Sequence, residues 1–155
     1  MAPAYTFRPM SPADLPLIRR WLGEVHVREW WGDPDEQFLL VSGDLDEPAM
    51  DQFIVLAGTH PFGYLQCYRL TAWNTGFGPQ PEGTRGIDQF IGESDMIARG
   101  HGSAFIRQFV DGQLRQGCHA LSPIPIRSTH APCALMRRPA SSATAWSRRR
   151  TGRRC

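Results

Sequence analysis

A mixed α/β fold is expected for residues 1–117, and three observations carry that expectation. Short β-branched and aromatic runs bounded by Gly, Pro and Asn read as strands. Two longer stretches, around Leu15–Leu22 and Phe105–Leu114, space their apolar residues as helices do. A glycine-rich turn, Arg99-Gly-His-Gly-Ser103, joins a strand to the second of these helices. The elements run in the order β-α-α-β-β-β-α.

Tyr5-Thr-Phe-Arg8 alternates and opens the chain as a strand. Ser11-Pro-Ala-Asp14 follows with an N-cap, a proline at the first helical position and an acid in the first turn. Leu15, Ile18, Trp21 and Leu22 give that helix an apolar face, and it is expected to run to about Glu24. The segment His26-Val-Arg-Glu-Trp-Trp-Gly32 receives no element, and Asp33 caps a second helix through Phe38, Leu39 and Leu40. Gln52 to Ala57 reads as a strand, Gly58-Thr-His-Pro61 as a turn, and Phe62 to Leu70 as the hairpin partner. Residues 71–85 read as a long loop and Gly86 to Gly92 as a short strand. The last helix carries Phe105, Ile106, Phe109, Val110 and Leu114 at helical spacing, with Gly117 as its stop.

Charge divides the chain at Gly117. Residues 1–117 hold nine Arg against all fifteen Asp and Glu, a balance of −6. Residues 118–155 hold eight Arg, no acid and three of the four Cys, and lack Val, Phe and Tyr. Such a segment has little with which to build strands or a core, and a disordered basic tail is expected. A nucleic-acid arm would interleave aromatics or present a helical face. Only Trp146 is available, and Pro123, Pro125, Pro132 and Pro139 interrupt any helix, so no nucleic-acid partner is expected. The absence of an apolar run of about eighteen residues argues against a membrane span. No secretory start is visible, and the lone body thiol, Cys67, suits a reducing, cytoplasmic compartment. Cys118, Cys133 and Cys155 have no metal-ligand spacing, so no metal is expected.

A glycine-rich turn into a helix presents free N–H groups and the positive end of the helix dipole, an arrangement suited to phosphate. Gly100 and Gly102 let a ligand approach that backbone without Cβ clashes. A tight turn with an ordinary helix cap would use the same residues. The segments His26–Gly32, Phe62–Tyr68, Arg85-Gly-Ile-Asp-Gln89 and Ile97-Ala-Arg-Gly-His-Gly102 together resemble the GCN5-related N-acetyltransferases, especially those acetylating the 6′-amine of aminoglycosides. The likeness covers residues 5–117. The family's phosphate motif starts with Gln or Arg where this chain has Ile97, while Gly100 and Gly102 match.

The resemblance implies the acyl-CoA N-acyltransferase fold, a mixed central sheet flanked by helices, with acetyl-CoA as co-substrate and a small cationic amine as acceptor. Siderophore-precursor amines are the alternative acceptors, and oligomeric state is left open. Gln89, Phe90 and Ile91 would lie beside the pantetheine arm, pairing with its amides. The backbone of Arg99, Gly100, His101, Gly102 and Ser103 would hold the pyrophosphate. Asp88 matches the family's candidate general base or amine-orienting acid, and Trp30 and Trp31 match the aromatic part of the acceptor pocket. A core role for the tryptophans and a solvated strand position for Asp88 stay open. Thioester aminolysis needs a proton acceptor for the incoming ammonium and donors for the developing oxyanion. An acidic body, with Asp33, Asp35, Glu36 and the Asp44/Asp46/Glu47 cluster near the tryptophans, suits a polycationic acceptor.

The family continues with a strand ending in Asp-Pro, an Asn-Ala-Arg-Ala-like helix and a Tyr-Glu-Lys-Ala-Gly-Phe segment, none visible after Gly117. All three reappear when the tail is back-translated and read two bases later. Ser122-Pro-Ile-Pro-Ile-Arg127, taken as TCA CCG ATC CCG ATC CGC, then reads Thr-Asp-Pro-Asp-Pro, and with GC-rich codons the same frame can encode the rest of the pattern through Cys155. A single-base deletion or equivalent frameshift beside the Gly117 codon is therefore expected. Residues 1–117 would be a partial, truncated acetyltransferase domain and residues 118–155 an out-of-frame tail. The missing strand and helix would leave the edge of the Gly86–Gly92 strand uncovered, remove the family's general-acid tyrosine and impair activity.

Overall fold

The computed structural model describes residues 4–70 and 82–116. Four strands form one sheet there in the order β1-β2-β3-β4: β1 Tyr5–Pro9, β2 Met50–Ala57, β3 His60–Arg69 and β4 Arg85–Ile91. β2 and β3 meet at a tight turn in which Gly58 takes φ +62°, a region open to glycine at no steric cost. A bulge at Val55/Leu56 shifts the β2–β3 register. Every described pairing is antiparallel. The parallel member of a mixed sheet, most of the 71–85 loop, the Gly117 stop and the 118–155 tail lie outside the described residues.

Ser11 opens a single 3-10 turn, Pro12–Asp14, which runs into α1, Leu15–Leu22. The Asp14 carboxylate accepts from the Ser11 N–H (2.9 Å) and hydroxyl (3.1 Å), and Arg8 of β1 donates to both its oxygens at 2.6 and 3.0 Å. The Arg8 hydrogen bonds hold the Asp14 carboxyl below its ordinary value, outweighing the opposing effect of burial. α1 ends at Leu22, two residues earlier than its pattern suggested, because Glu24 turns extended and starts a new helix. That helix, α2 (Val25–Trp31), is the element missing from the expected order. Seven residues with two β-branched valines and two tryptophans carry little helix propensity, so packing decides it. Asp33 caps α3, Pro34–Gly43, accepting the N–H groups of Asp35 and Glu36, both at 3.0 Å.

The sheet is covered on both faces. Ile18, Trp21 and Leu22 of α1, Val27 of α2 and Val41 of α3 pack with Ile54, Tyr64 and Phe90 on one side. On the other, Phe105, Ile106 and Phe109 of α4 (His101–Arg115) pack with Tyr5, Val55, Phe62, Leu65 and Cys67. Each large apolar side chain so buried contributes about 1.5–3 kcal/mol. The Gln108 amide then locks α4 to β1, accepting from the Tyr5 N–H at 3.0 Å and donating to its carbonyl at 2.7 Å. Leu114, on the expected apolar face, is half exposed, so the covered part of that face ends near Val110.

Candidate active site

Two hydrogen bonds fix which groups β4 offers outward. The Gly92 N–H donates to the Phe62 carbonyl (2.8 Å) and the Leu70 N–H to the Thr84 carbonyl (3.0 Å). With the antiparallel register between them, even-numbered residues of β4 bond to β3. Ile87, Gln89 and Ile91 therefore turn their N–H and C=O groups to the outer edge. No described strand pairs there. Phe90 packs toward α1–α3, whereas Ile87 and Ile91 pack toward α4.

Asp88 is buried on β4, directly across from Gln66 of β3. Gln66 Nε2 donates to Asp88 Oδ2 at 2.8 Å, and the Tyr64 hydroxyl donates to Gln66 Oε1 at 2.9 Å. The two bonds fix the amide orientation, because only its nitrogen can donate to a carboxylate. The result is a carboxylate held in one orientation by a buried chain, not a solvated strand residue. Asp88 is thereby suited to receive a proton or to orient an ammonium. Gln66 and Tyr64 did not emerge from the sequence as site residues. Their signal was available, since two polar side chains face each other across otherwise apolar strands.

The glycine turn lies beyond the end of β4. Ala98 and Gly100 take φ +58° and +79°, and His101 begins α4. A Cβ on Gly100 would meet nothing within 4 Å, and one on Gly102 only Ile91 Cδ1 at 3.9 Å. Backbone conformation accounts for glycine at 100. Packing gives no reason for glycine at 102, where it costs a helix about 0.5–1 kcal/mol relative to alanine. Open space above a helix N-terminus is what close approach of an anion requires. Arg99 and Ser103 are exposed there, and the Ser103 hydroxyl donates to the Gly100 carbonyl at 3.3 Å. The His101 ring turns inward: its Nδ1 lies 2.8 Å from the Tyr5 hydroxyl and its plane meets the Tyr5 ring edge-on. His101 thus directs its ring toward Tyr5 and leaves its main chain at the start of the helix.

The tryptophans separate. Trp31 packs edge-on against Phe90 and Tyr64, with centroids 4.9 and 5.9 Å away, and its indole N–H donates to the Gln89 carbonyl at 3.3 Å. Trp30 is 39 % exposed. The structure gathers Trp31, Asp88, Gln89 and Phe90 around one strand and leaves Trp30 facing solvent. His26, given no site role by the sequence, reaches the Ile91 carbonyl with Nε2 at 2.9 Å. Several acids expected to attract a cation have structural roles: Asp33 caps α3, Asp35 pairs with Arg19 at 2.7 Å, and Asp44 is buried. Asp33, Asp35, Glu36 and Asp46 all stay exposed. An open groove of about 470 Å³ between α2 and α3 is lined by Val25, Arg28, Glu29, Gly32, Asp33 and Pro34, and Asp88 is not part of it. Among the described residues no cluster of three His, Cys, Asp or Glu could hold a metal, and no helix is long and apolar enough to cross a membrane.

A buried carboxylate on the edge strand and an open glycine turn at the next helix describe an acyl-CoA N-acyltransferase scaffold. The family profile for the acetyltransferase (GNAT) domain matches residues 11–121, and the chain belongs to that family. The aminoglycoside N(6′)-acetyltransferase type 1 of Klebsiella pneumoniae is 29 % identical over 117 aligned positions, covering 68 % of this chain. The chain spans 57 % of that relative's length. Among solved structures, aminoglycoside acetyltransferase AAC(6′)-Ib in complex with coenzyme A superposes with a TM-score of 0.64 at 25 % identity, covering 74 % of this chain and 70 % of that one. The same enzyme with coenzyme A and kanamycin gives the same values.

Proposed function

We propose that the chain carries the body of an acetyl-CoA-dependent N-acetyltransferase whose acceptor is a small cationic amine, the 6′-amine of an aminoglycoside first among them. The observation that carries this reading is the Tyr64–Gln66–Asp88 chain, which orients a buried carboxylate on the strand preceding the glycine turn. In this reading the N–H groups at the start of α4 receive the pyrophosphate of acetyl-CoA, and the outer edge of β4 takes the pantetheine arm. Asp88 accepts the proton of the incoming ammonium, directly or through water. The neutral amine attacks the thioester carbonyl, the tetrahedral oxyanion is stabilised by main-chain N–H groups, and collapse expels the thiolate, which must be protonated to leave as CoA. Trp31 and the exposed Trp30 border the acceptor side. Protein relatives and neighbours that act on aminoglycosides or hold coenzyme A support this reading.

A second reading is favoured by the composition break at Gly117. The tail 118–155 is an out-of-frame translation, the proton donor to the leaving thiolate is missing, and the 155-residue chain is a non-catalytic CoA-binding or inert remnant. The family match ending at residue 121 supports this. A thiol-release assay with acetyl-CoA across aminoglycosides, hydroxylamine-bearing siderophore precursors and polyamines decides the acceptor, run on the chain with its frame restored. Thiol release strongest with 6′-amino aminoglycosides supports the first reading, and none with any amine refutes it. Titration of coenzyme A into the 155-residue chain separates a binding remnant from an inert product.

A further inference from the structure

Strand edges leave main-chain groups that something must satisfy, and on β4 the side chains of α2 do so. His26 Nε2 lies 2.9 Å from the Ile91 carbonyl, and because a carbonyl only accepts, that nitrogen carries the proton. Trp31 Nε1 donates to the Gln89 carbonyl at 3.3 Å. One step further along, Trp21 Nε1 donates to Glu93 Oε1 at 2.8 Å, and Arg20 pairs with the same carboxylate. Three ring N–H groups from α1 and α2 therefore reach the alternate positions 89, 91 and 93. The strand parity that turns the Gln89 and Ile91 carbonyls outward also turns their N–H groups outward. With one lone pair of each carbonyl engaged by α2, the N–H groups of Gln89 and Ile91 are the unshared part of what this stretch of edge presents to a ligand.

We propose that His26 and Trp31 are positioning residues for the co-substrate. By engaging the Ile91 and Gln89 carbonyls they seat α2 on the outer edge of β4, where no described strand pairs, and hold the intervening N–H groups toward a ligand. A ligand arm lying there is selected for carbonyl oxygens at those positions, as amide and thioester groups supply. The inference deepens the acetyltransferase reading and rests on it for the identity of the arm.

The test uses the 155-residue chain and two variants, His26→Phe, which keeps a ring without a donor, and His26→Gln, which keeps a donor at similar reach. Amide hydrogen exchange without ligand and calorimetric titration with coenzyme A are measured on each. His26→Phe is expected to accelerate exchange at Phe90 and Gly92, whose N–H groups bond to β3, about tenfold, leave Phe105–Phe109 of α4 unchanged, and weaken coenzyme A about tenfold, the scale of one lost hydrogen bond. His26→Gln is expected to recover most of both. Unchanged exchange and affinity in His26→Phe would overturn the inference. So would equal loss of protection in β4 and α4, which marks general destabilisation, or a failure of His26→Gln to rescue. A wild-type chain that ignores coenzyme A yet shows glutamine-rescued protection sinks the co-substrate reading while leaving the seating of α2 on β4 supported.

Discussion

Replacing Gln66 probes the buried polar chain most sharply. Gln66→Leu keeps the side-chain volume but withdraws one donor from the Asp88 carboxylate and one acceptor from the Tyr64 hydroxyl. A hydrogen bond to a charged group is worth about 1.5–3 kcal/mol and a neutral one about 1 kcal/mol. The loss comes to about 3 kcal/mol, a large share of the 5–15 kcal/mol typical of a domain. With a urea dependence near 2 kcal/mol per molar, the unfolding midpoint falls by about 1.5 M. Tryptophan fluorescence reads this directly, because Trp21 and Trp31 sit in the core against Phe90. Gln66→Glu supplies the sign check. It places a second carboxyl against Asp88, so the introduced group has a folded pKa raised above its unfolded value. The folded state then binds more protons than the unfolded state between those two values, and stability rises as pH falls from 7 to 5. Gln66→Leu should show no such recovery. An unchanged midpoint in Gln66→Leu, or equal destabilisation of Gln66→Glu at both pH values, refutes the chain as described.

Three further outcomes follow from the geometry. Asp14 has a lowered pKa, so its contribution is complete above the unfolded carboxylate range and disappears as pH falls through the folded value. Asp14→Asn should cost about 1–2 kcal/mol at pH 7 in urea titrations, discounted for the half-exposed Arg8, and the difference from wild type should close below about pH 4. Gly92→Ala would place its Cβ 2.2 Å from the fully buried Trp21 ring and should cost 3 kcal/mol or more by thermal melting (from about 1–3 for ordinary overpacking). The glycine turn separates two causes: Gly102→Ala should stabilise the chain by about 0.5–1 kcal/mol, whereas Gly100→Ala should destabilise it by about 1 kcal/mol through its positive φ.

Much of the architecture was legible because the relevant signals are local. Alternation marked β1, apolar and aromatic runs bounded by turn residues marked β2, β3 and β4, and the spacing of Phe105, Ile106 and Phe109 marked α4. Asp33 announced α3 by its capping chemistry. α2 was not legible, since Val25–Trp31 has no side-chain cap and a weak helical preference, and its place is set by bonds to β4 more than fifty residues away. The site divides the same way. Asp88 and the glycine turn stand out in the sequence, but the Gln66 amide and the His26 ring acquire meaning only through strand register and helix docking. The acids near the tryptophans show the limit of such reading, because sequence proximity to a site does not reveal the cap at Asp33 or the ion pair at Asp35.

The most direct measurement compares acetyl-CoA thiol release with kanamycin for the 155-residue chain and for the same gene with one base restored beside the Gly117 codon. An acetyltransferase body followed by an out-of-frame tail predicts turnover from the restored protein and little or none from the 155-residue chain. Equal rates from the two proteins, or a restored protein that neither binds coenzyme A nor releases thiol with any amine, would contradict it.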